Sequence, residues 1–155
     1  MLPRVRETTL PSAGVGFETS RGRLGLWTPA DGLVIARLVI HGEAAFAPPI
    51  IEAVDSRLAR AERVRIFFDA EDLLRYDTEL RTALTARFFA DRARIESLHV
   101  LVGSRLVALG VNVANLALRG LVTSHYARTR YVDALNEALS AAGLSGVTAL
   151  SFMAA

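Results

Sequence analysis

The chain lacks cysteine and lysine altogether, although it has 155 residues. Without cysteine there is no disulfide framework, no thiol nucleophile and no cysteine-ligated zinc, which fits a reducing compartment such as the cytoplasm. Without lysine there is no P-loop, because the lysine that follows its glycine-rich turn is required. These two absences remove several large classes of enzyme and of metal-binding protein.

Long hydrophobic runs are also missing. The longest uncharged apolar stretch, Leu106 to Leu118, has thirteen residues, whereas a membrane-spanning helix needs about 20. The first residues, Met1 to Glu7, contain no apolar run of the kind found in signal peptides. We therefore expect a cytoplasmic protein without a transmembrane segment.

The chain has little excess of either charge. Eighteen positive residues, all arginine, face 16 acidic residues, which gives a formal net charge of +2. Most arginines are interleaved with acids, as they are between residues 55 and 63. A nucleic-acid binder concentrates its positive charge on one face, so we expect no nucleic-acid partner.

Motifs for catalysis and for cofactors are absent as well. Gly14-Val-Gly16 leads into a predicted strand, so it is not a dinucleotide fingerprint, and there is no Gly-x-Ser-x-Gly elbow. The histidines, His41, His99 and His125, lie far apart and have no acidic residue at ligand spacing. We predict no catalytic residue, no metal and no cofactor, and we interpret His99 as a core or half-buried histidine.

What is present is an alternation of short apolar strands and amphipathic helices, of a length that fits one domain. Residues 1–13 are polar and punctuated by proline, which predicts a loose arm before a domain over 14–155. Two short strands are predicted over 14–28, and a central strand over 33–40 follows the Asp-Gly turn. The later predicted elements are a helix from Pro48, a strand over 64–68, a helix from Thr78 to Asp91 capped by Asp77, a strand over 98–102, a helix over 105–119 capped by Ser104, a strand over 121–126, and a helix capped by Thr129 and ended by Gly143.

This order of elements predicts a single α/β domain. Apolar strands that alternate with helices form a parallel sheet, and the hairpin strands add to it in antiparallel fashion. We therefore predict a mixed, mostly parallel sheet with an N-terminal β-hairpin and about four helices. Residues 146–152 are interpreted either as an edge strand or as a tail.

The acidic segment from Asp69 to Glu79 is the first candidate site. It leaves the carboxyl end of a predicted central strand and enters a helix amino terminus, the edge where open α/β sheets bind ligands. It is either a docking or switch loop that would also suit a cation, or a solvated turn in which Asp77 caps the helix and Glu79 complements the helix dipole. The candidate partner-binding residues are Asp69, Tyr76, Asp77, Thr78, Glu79 and Arg81.

The second candidate site is the helix predicted over 105–119, which is apolar on nearly all sides. Such a helix must be covered on more than one side, by its own chain, by a second copy or by a hydrophobic small molecule. The candidate ligand-or-dimer surface consists of Arg105, Asn112, Asn115 and Arg119. We predict a homodimer with this helix or its neighbour from Thr78 to Asp91 in the interface, because a twofold contact is the commonest way for a soluble protein to cover such a surface.

The stretch Phe68-Asp-Ala-Glu-Asp-Leu-Leu-Arg-Tyr-Asp-Thr-Glu-Leu80 resembles the strand end and the Asp-Ser-Ser-Gly helix start of the STAS fold, in its SpoIIAA-like branch. Asp69 matches the strand-end aspartate, Asp77 the capping aspartate and Thr78 the first serine. Glu79 stands where bacterial anti-sigma-factor antagonists carry the phosphorylated serine, and Leu80 replaces the glycine. The resemblance covers about residues 14–142.

This resemblance implies a regulatory domain that is not an enzyme and that binds a protein partner through the acidic segment and the following helix. A glutamate at the phosphoacceptor position implies either a permanently charged site or a branch without the phosphoswitch. The SpoIIAA-like branch is also similar to lipid-carrying folds, so a hydrophobic small molecule or a membrane surface is the alternative partner.

Overall fold

The sheet and its helices are seen in a computed structural model that describes residues 4–144 and 146–153. The strands are β1 (Arg6–Leu10), β2 (Gly14–Glu18), β3 (Arg23–Ala30), β4 (Leu33–Gly42), β5 (Val64–Ala70), β6 (Leu73–Tyr76), β7 (Ile95–Val102) and β8 (Val122–His125). The α-helices are α1 (Ala47–Leu58), α2 (Thr78–Ala90), α3 (Arg105–Ala117) and α4 (Arg128–Ala141).

The eight strands form one mixed sheet in the order β1-β2-β3-β4-β5-β7-β8, with β6 paired to the end of β4. The first four strands are antiparallel neighbours, and β4, β5, β7 and β8 are parallel. The predicted fold class is confirmed, since the chain is an α/β domain with a mixed sheet and four α-helices.

Helices cover both faces of the parallel part of the sheet. Neighbouring residues of β4, Val34 and Ile35, are both buried, the first in the core cluster under α1 to α3 and the second in the cluster under α4. The same holds for Ile66 and Phe67 of β5. Burial on both faces explains why these strands appear in the sequence as continuous apolar runs.

Two predicted end signals of the helices are confirmed, Ser104 and Gly143, and two predicted caps, Thr129 and Asp77, are wrong. Ser104 accepts a hydrogen bond from the backbone N–H of Val107 and so caps α3. Gly143 ends α4 with a φ of 81°, and the N–H of Leu144 bonds to the carbonyl of Leu139. Thr129 is not the cap of α4, because the helix begins at Arg128.

The amino-terminal segment also differs from the predicted loose arm. Arg6–Leu10 forms the edge strand β1, in which Glu7 pairs with Phe17 and Thr9 with Val15. Consecutive β-branched residues favour this extended conformation. Residues 1–3 of the predicted arm lie outside the described part of the chain.

The carboxyl-terminal segment, predicted as an edge strand or a tail over 146–152, forms no strand and packs on the core instead of extending as a tail. Ala149–Phe152 forms a short 3₁₀ turn whose buried Phe152 packs edge-on against Trp27, with ring centroids 5.8 Å apart. This segment therefore completes the core on the α4 face. Among the described residues, no helix combines the length and the apolar character needed to span a bilayer.

Candidate functional site

Helix α3 has one buried side and one exposed apolar side. Val107 and Gly110 face the sheet and are buried. The opposite side carries four large apolar residues that we call the α3 stripe, with exposed fractions of 50% for Leu106, 62% for Leu109, 44% for Val113 and 82% for Leu116. The described residues 4–144 and 146–153 therefore cover this helix on one side only and leave the α3 stripe exposed, whereas the sequence analysis expected cover on more than one side.

The spacing of the α3 stripe follows a heptad pattern. Its members are separated by three, four and three residues, which places them at positions a and d of a helix that pairs with another helix. Arg105 and Asn112 are seven residues apart and lie along one edge of the stripe, whereas Arg119 lies beyond the helix, which ends at Ala117 and not at the predicted residue 119, and has a φ of 55°; all three are exposed. The predicted surface on this helix therefore contains polar residues that border an apolar strip.

Asn115 has a different setting from Asn112. Its side-chain amide donates to the carbonyl of Val122 at 3.2 Å, and its side-chain oxygen accepts from the N–H of the same residue at 2.9 Å. These two bonds occupy the first residue of β8, a strand at the edge of the sheet. Asn115 thus ties β8 to α3, and it protects the strand edge from pairing with other chains.

An apolar cavity lies between α2, α3 and the sheet. Its volume is about 120 Å³, and its walls include Phe68 and Val100 from the sheet, Leu84 from α2 and Val111 from α3. Arg81 of α2 also lines it, and within residues 4–144 and 146–153 the Arg81 guanidinium forms no salt bridge or hydrogen bond. The lining is almost wholly apolar, so Arg81 contributes the aliphatic part of its side chain to the wall, and its guanidinium lies outside the cavity.

Tyr76 closes part of this cavity against α3. A methyl group added to Gly110 would come within 2.2 Å of the Tyr76 hydroxyl oxygen. Glycine at position 110 is therefore required for the tyrosine ring of β6 to approach the helix so closely.

Asp69 is buried at the end of β5, with 2% of its surface exposed. Its carboxylate accepts from the N–H of Glu71 at 3.1 Å and lies 3.6 Å from the guanidinium of Arg37. Burial raises the pKa of this carboxyl group, against the lowering effects of the Glu71 N–H and of Arg37. This setting differs from the predicted docking position, because Asp69 shapes the acidic segment from within.

Asp77 precedes the first residue of α2 but does not cap it with its side chain. Its two carboxylate oxygens instead bind the Nε2 of His41 at 2.8 Å and the N–H of Ala44 at 2.9 Å. The hydrogen bond to His41 and then that to Ala44 hold the pKa of Asp77 below its ordinary value. The predicted cap is wrong because the end of β4 lies close enough to take the carboxylate.

The end of β4 is locally strained where it meets Asp77. Ile40 has a φ of 71°, a region that β-branched residues rarely adopt, and the pairing with β6 shifts register between Ile40 and His41. Two residues on, Glu43 is 1% exposed and accepts from the Nε of Arg21 at 2.7 Å. These contacts fix the start of α2 relative to the sheet.

Two of the predicted partner-binding residues are exposed. Thr78 and Glu79 occupy the first turn of α2, and both side chains point to solvent without hydrogen bonds to the described residues. Arg81 follows them one turn later at the cavity. The predicted group is therefore split between exposed, cavity-lining and buried positions.

Two of the three histidines come together on the other face of the sheet. His99 of β7 and His125 of β8 approach within 2.8 Å, whereas His41 binds Asp77. No group of three or more metal-ligating side chains is found in the described residues. His99 is half-buried, as the sequence predicts.

No protein-family model and no curated protein matches the chain. A solved structure does match: an uncharacterised protein of the DUF3478 family from Shewanella loihica PV-4, which has a SpoIIAA-like fold. The TM-score is 0.53 at 10% sequence identity, over 87% of this chain and 96% of the other. The chain has a SpoIIAA-like fold. The resemblance drawn from residues 68–80 is therefore confirmed for the fold.

The SpoIIAA-like fold explains the position of both candidate sites, since α2 and α3 are adjacent and cover the same face of the sheet. The features missed from the sequence include the strand β6, the His41–Asp77 contact, the His99–His125 contact and the exposed side of α3. The alternation in Leu73-Leu-Arg-Tyr76 is too short to separate a strand from a loop. The stripe at 3-4-3 spacing was visible in the sequence, but its exposure depends on which side of α3 meets the sheet.

Proposed function

We propose that this chain is a non-catalytic regulatory domain that binds protein partners, with the α3 stripe as a homodimer interface. The observation that carries this proposal is the exposure of Leu106, Leu109, Val113 and Leu116 on one side of a helix. Contiguous exposed apolar residues bordered by polar ones are typical of protein interaction sites. Burying a leucine side chain contributes about 1.5–3 kcal/mol, so covering this stripe favours association.

A second copy of the chain suits this surface in one orientation. In a parallel twofold contact, the residue just before position a of one helix faces the residue just after position d of the partner helix. The exposed Asn112 would then face the exposed Ala117 of the second copy, so no like charges meet there. In an antiparallel contact Arg105 of each copy would instead lie near the carboxyl-terminal end of the other α3, which Arg119 follows. We therefore propose parallel α3 helices across the twofold axis.

Substitution of Leu109 tests the dimer against a closely matched control. Leu109→Ser is expected to raise the dimer dissociation constant at least about tenfold, because each copy loses a buried apolar side chain. Leu150 is 61% exposed, compared with 62% for Leu109, but it lies in the 3₁₀ turn on the α4 face. Sedimentation equilibrium at micromolar concentrations should show Leu150→Ser unchanged; equal weakening by both substitutions, or a wild-type monomer, would contradict the proposed interface.

The exposed turn at the start of α2 is proposed as the site for a second, different protein. Thr78 and Glu79 extend into solvent there, and the SpoIIAA-like resemblance suggests docking at this turn. Replacing both by alanine should abolish partner capture while leaving the dimer intact.

The absence of catalysis is part of the same proposal. The described residues contain no cluster of three metal ligands, and the acidic side chains of the 69–79 segment are engaged in structural contacts or exposed singly. A screen with ester, phosphate monoester and nucleotide substrates is expected to remain at background. Turnover that a single substitution between residues 69 and 79 abolished would contradict this prediction.

A second candidate function is favoured by the cavity beside Arg81. Its volume of about 120 Å³ is close to that of an engineered apolar cavity of roughly 150 Å³ that binds benzene. The Arg81 guanidinium lies outside the apolar lining, where it would attract the anionic end of a small amphiphile whose apolar tail entered the cavity. Titration calorimetry with octanoate tests this, since Arg81→Gln should weaken binding whereas Arg75→Gln, on the exposed side of β6, should not.

A further inference from the structure

Two histidines join the last two parallel strands on the α4 face of the sheet. His99 Nδ1 and His125 Nε2 are 2.8 Å apart; the ring centroids are 5.1 Å apart, and the ring planes differ by 16°. These values describe nearly coplanar rings that meet edge to edge, as in an N–H···N hydrogen bond. One ring donates and the other accepts, so a single proton lies between the two nitrogens.

Aromatic side chains hold this pair in place. Phe67 of β5 stacks on His99 with ring centroids 4.6 Å apart, and Tyr131 of α4 presents its ring at 75° to His125, 6.0 Å away. Tyr131 is fully buried, and its hydroxyl has no hydrogen-bond partner in the described part of the chain. The rings therefore have little freedom to move apart within the folded sheet.

Charged groups around the pair do little to favour its protonation. Arg65 of β5 and Arg130 of α4 face the pair with positive charge, and Glu137 of α4 is the acidic group that faces His99. Burial, followed by the charge of His125 and of Arg65, lowers the pKa of His99. Burial, followed by the charge of Arg130, lowers the pKa of His125.

The pair lies on a short strand at the edge of the sheet. Strand β8 has four residues, lies at the sheet edge and pairs with β7 alone, from Leu98 opposite Val122 to Leu101 opposite His125. Its first residue is held by Asn115, and its last residue is His125. The histidine contact therefore adds a side-chain link at the carboxyl end of this strand, beside the backbone pairing of Leu101 with His125.

We propose that the His99–His125 pair is an acid-sensitive pin that holds β8 against β7 and releases it when both rings are protonated. A first proton leaves one ring able to accept the hydrogen bond. A second proton makes both rings donors, so the bond is lost and two positive charges meet at its former position. The pair thus makes the attachment of β8, and of the α3 end bound to it through Asn115, dependent on pH.

The direction of the pH effect follows from the lowered pKa values. Released histidines take up protons near pH 6.5, and the paired ones do so only at lower pH. Attachment of β8 is therefore complete above about pH 6.5 and is lost as the pH falls below it. The equilibrium constant for attachment falls by up to about tenfold per pH unit for each histidine.

Amide hydrogen exchange of β8 at pH 7.5 and pH 5.0, corrected for intrinsic exchange rates, tests the pin. The wild-type protection factor should fall at least about tenfold at pH 5.0. The His125→Gln variant keeps one titrating ring of the pair, so the protection factor of its β8 should fall much less between pH 7.5 and pH 5.0. His41→Gln removes a histidine outside the pair, and it should preserve the wild-type response in β8.

Protection of wild-type β8 that does not change with pH would overturn the proposal, and so would an equal fall in His125→Gln. If His125→Gln does not fold, the imidazole nitrogen resonances of the wild type decide. Two well-separated protonation steps are expected for a coupled pair. Independent titration of His99 and His125 near pH 6.5 would overturn the pin.

Discussion

Two aspartates of the same acidic segment show how setting decides the role of a residue. Asp69 is buried and its pKa is raised, chiefly by burial, whereas the pKa of Asp77 is lowered, chiefly by its hydrogen bond to His41. The sequence placed both in one docking group because both are acidic and close in the chain. It could not show that one carboxylate turns inward and that the other meets the end of β4, since those contacts join distant residues.

Asp77 should stabilise the fold in a pH-dependent way. At pH 7 we expect Asp77→Asn to lose about 1–2 kcal/mol of unfolding free energy, because the charged hydrogen bonds to His41 and Ala44 are weakened. Since the folded pKa of Asp77 is lowered, its contribution is present above the unfolded value near 3.9 and is lost as the pH falls through the folded value. The difference between variant and wild type should therefore shrink below about pH 4.

Urea denaturation at several pH values measures this effect. Asp133→Asn provides the control, since Asp133 is an exposed residue of α4, and its substitution should change stability by less than about 0.5 kcal/mol at any pH. An Asp77→Asn deficit that stayed constant down to pH 3 would show that the charge of Asp77 is not responsible.

At the scale of elements, helix α3 divides two asparagines that the sequence assigned to one surface. Asn112 is exposed beside the α3 stripe, and Asn115 binds the backbone of Val122 through both its polar atoms. Three residues along a helix turn the side chain by about 300°, which leaves them some 60° apart. That angle separates a solvent-facing position from one that reaches β8.

Alanine substitution of each asparagine should give opposite results. Asn115→Ala is expected to cost about 1–3 kcal/mol, because it removes both hydrogen bonds to Val122 and leaves buried or half-buried backbone groups unpaired. Asn112→Ala should stay within about 0.5 kcal/mol. Chemical denaturation gives the difference, and a similar small effect for both would mean that Asn115 does not hold β8.

Elements with strong periodicity or clear end signals were predictable, and those fixed by tertiary contacts were not. The Asp31-Gly32 turn, the apolar strand from Val64 and the Ser104 cap each depend on local chemistry and are found where the sequence places them. Strand β6 pairs with Ile40 to Gly42, thirty or more residues earlier in the chain. Nothing in the short segment 73–76 encodes that pairing.

At the scale of the whole molecule, the sheet is shielded unequally on its two faces. Helices α1, α2 and α3 share one face and leave the cavity and the α3 stripe, whereas α4 and Ala149–Phe152 close the other around Trp27, Phe67 and Tyr131. The SpoIIAA-like fold was predictable from the order of elements and one short motif. The sequence predicted a homodimer surface on α3, but which side of the helix remains uncovered depends on how the helix packs, so the exposed stripe could be located only in the structure.

Disulfide cross-linking through α3 tests the homodimer most directly, and the absence of native cysteine makes it clean. In parallel α3 helices, position 116 of one copy meets position 116 of the other, so Leu116→Cys should form a covalent dimer on mild oxidation. Leu150→Cys, which is also exposed but lies on the α4 face, should remain monomeric on a denaturing gel. A disulfide cross-link that formed only when the Leu106→Cys and Leu116→Cys variants were mixed would contradict the parallel orientation. The α3 interface itself would be contradicted by two results together. Leu116→Cys would cross-link no faster than Leu150→Cys, and a mixture of the Leu106→Cys and Leu116→Cys variants would form no cross-link.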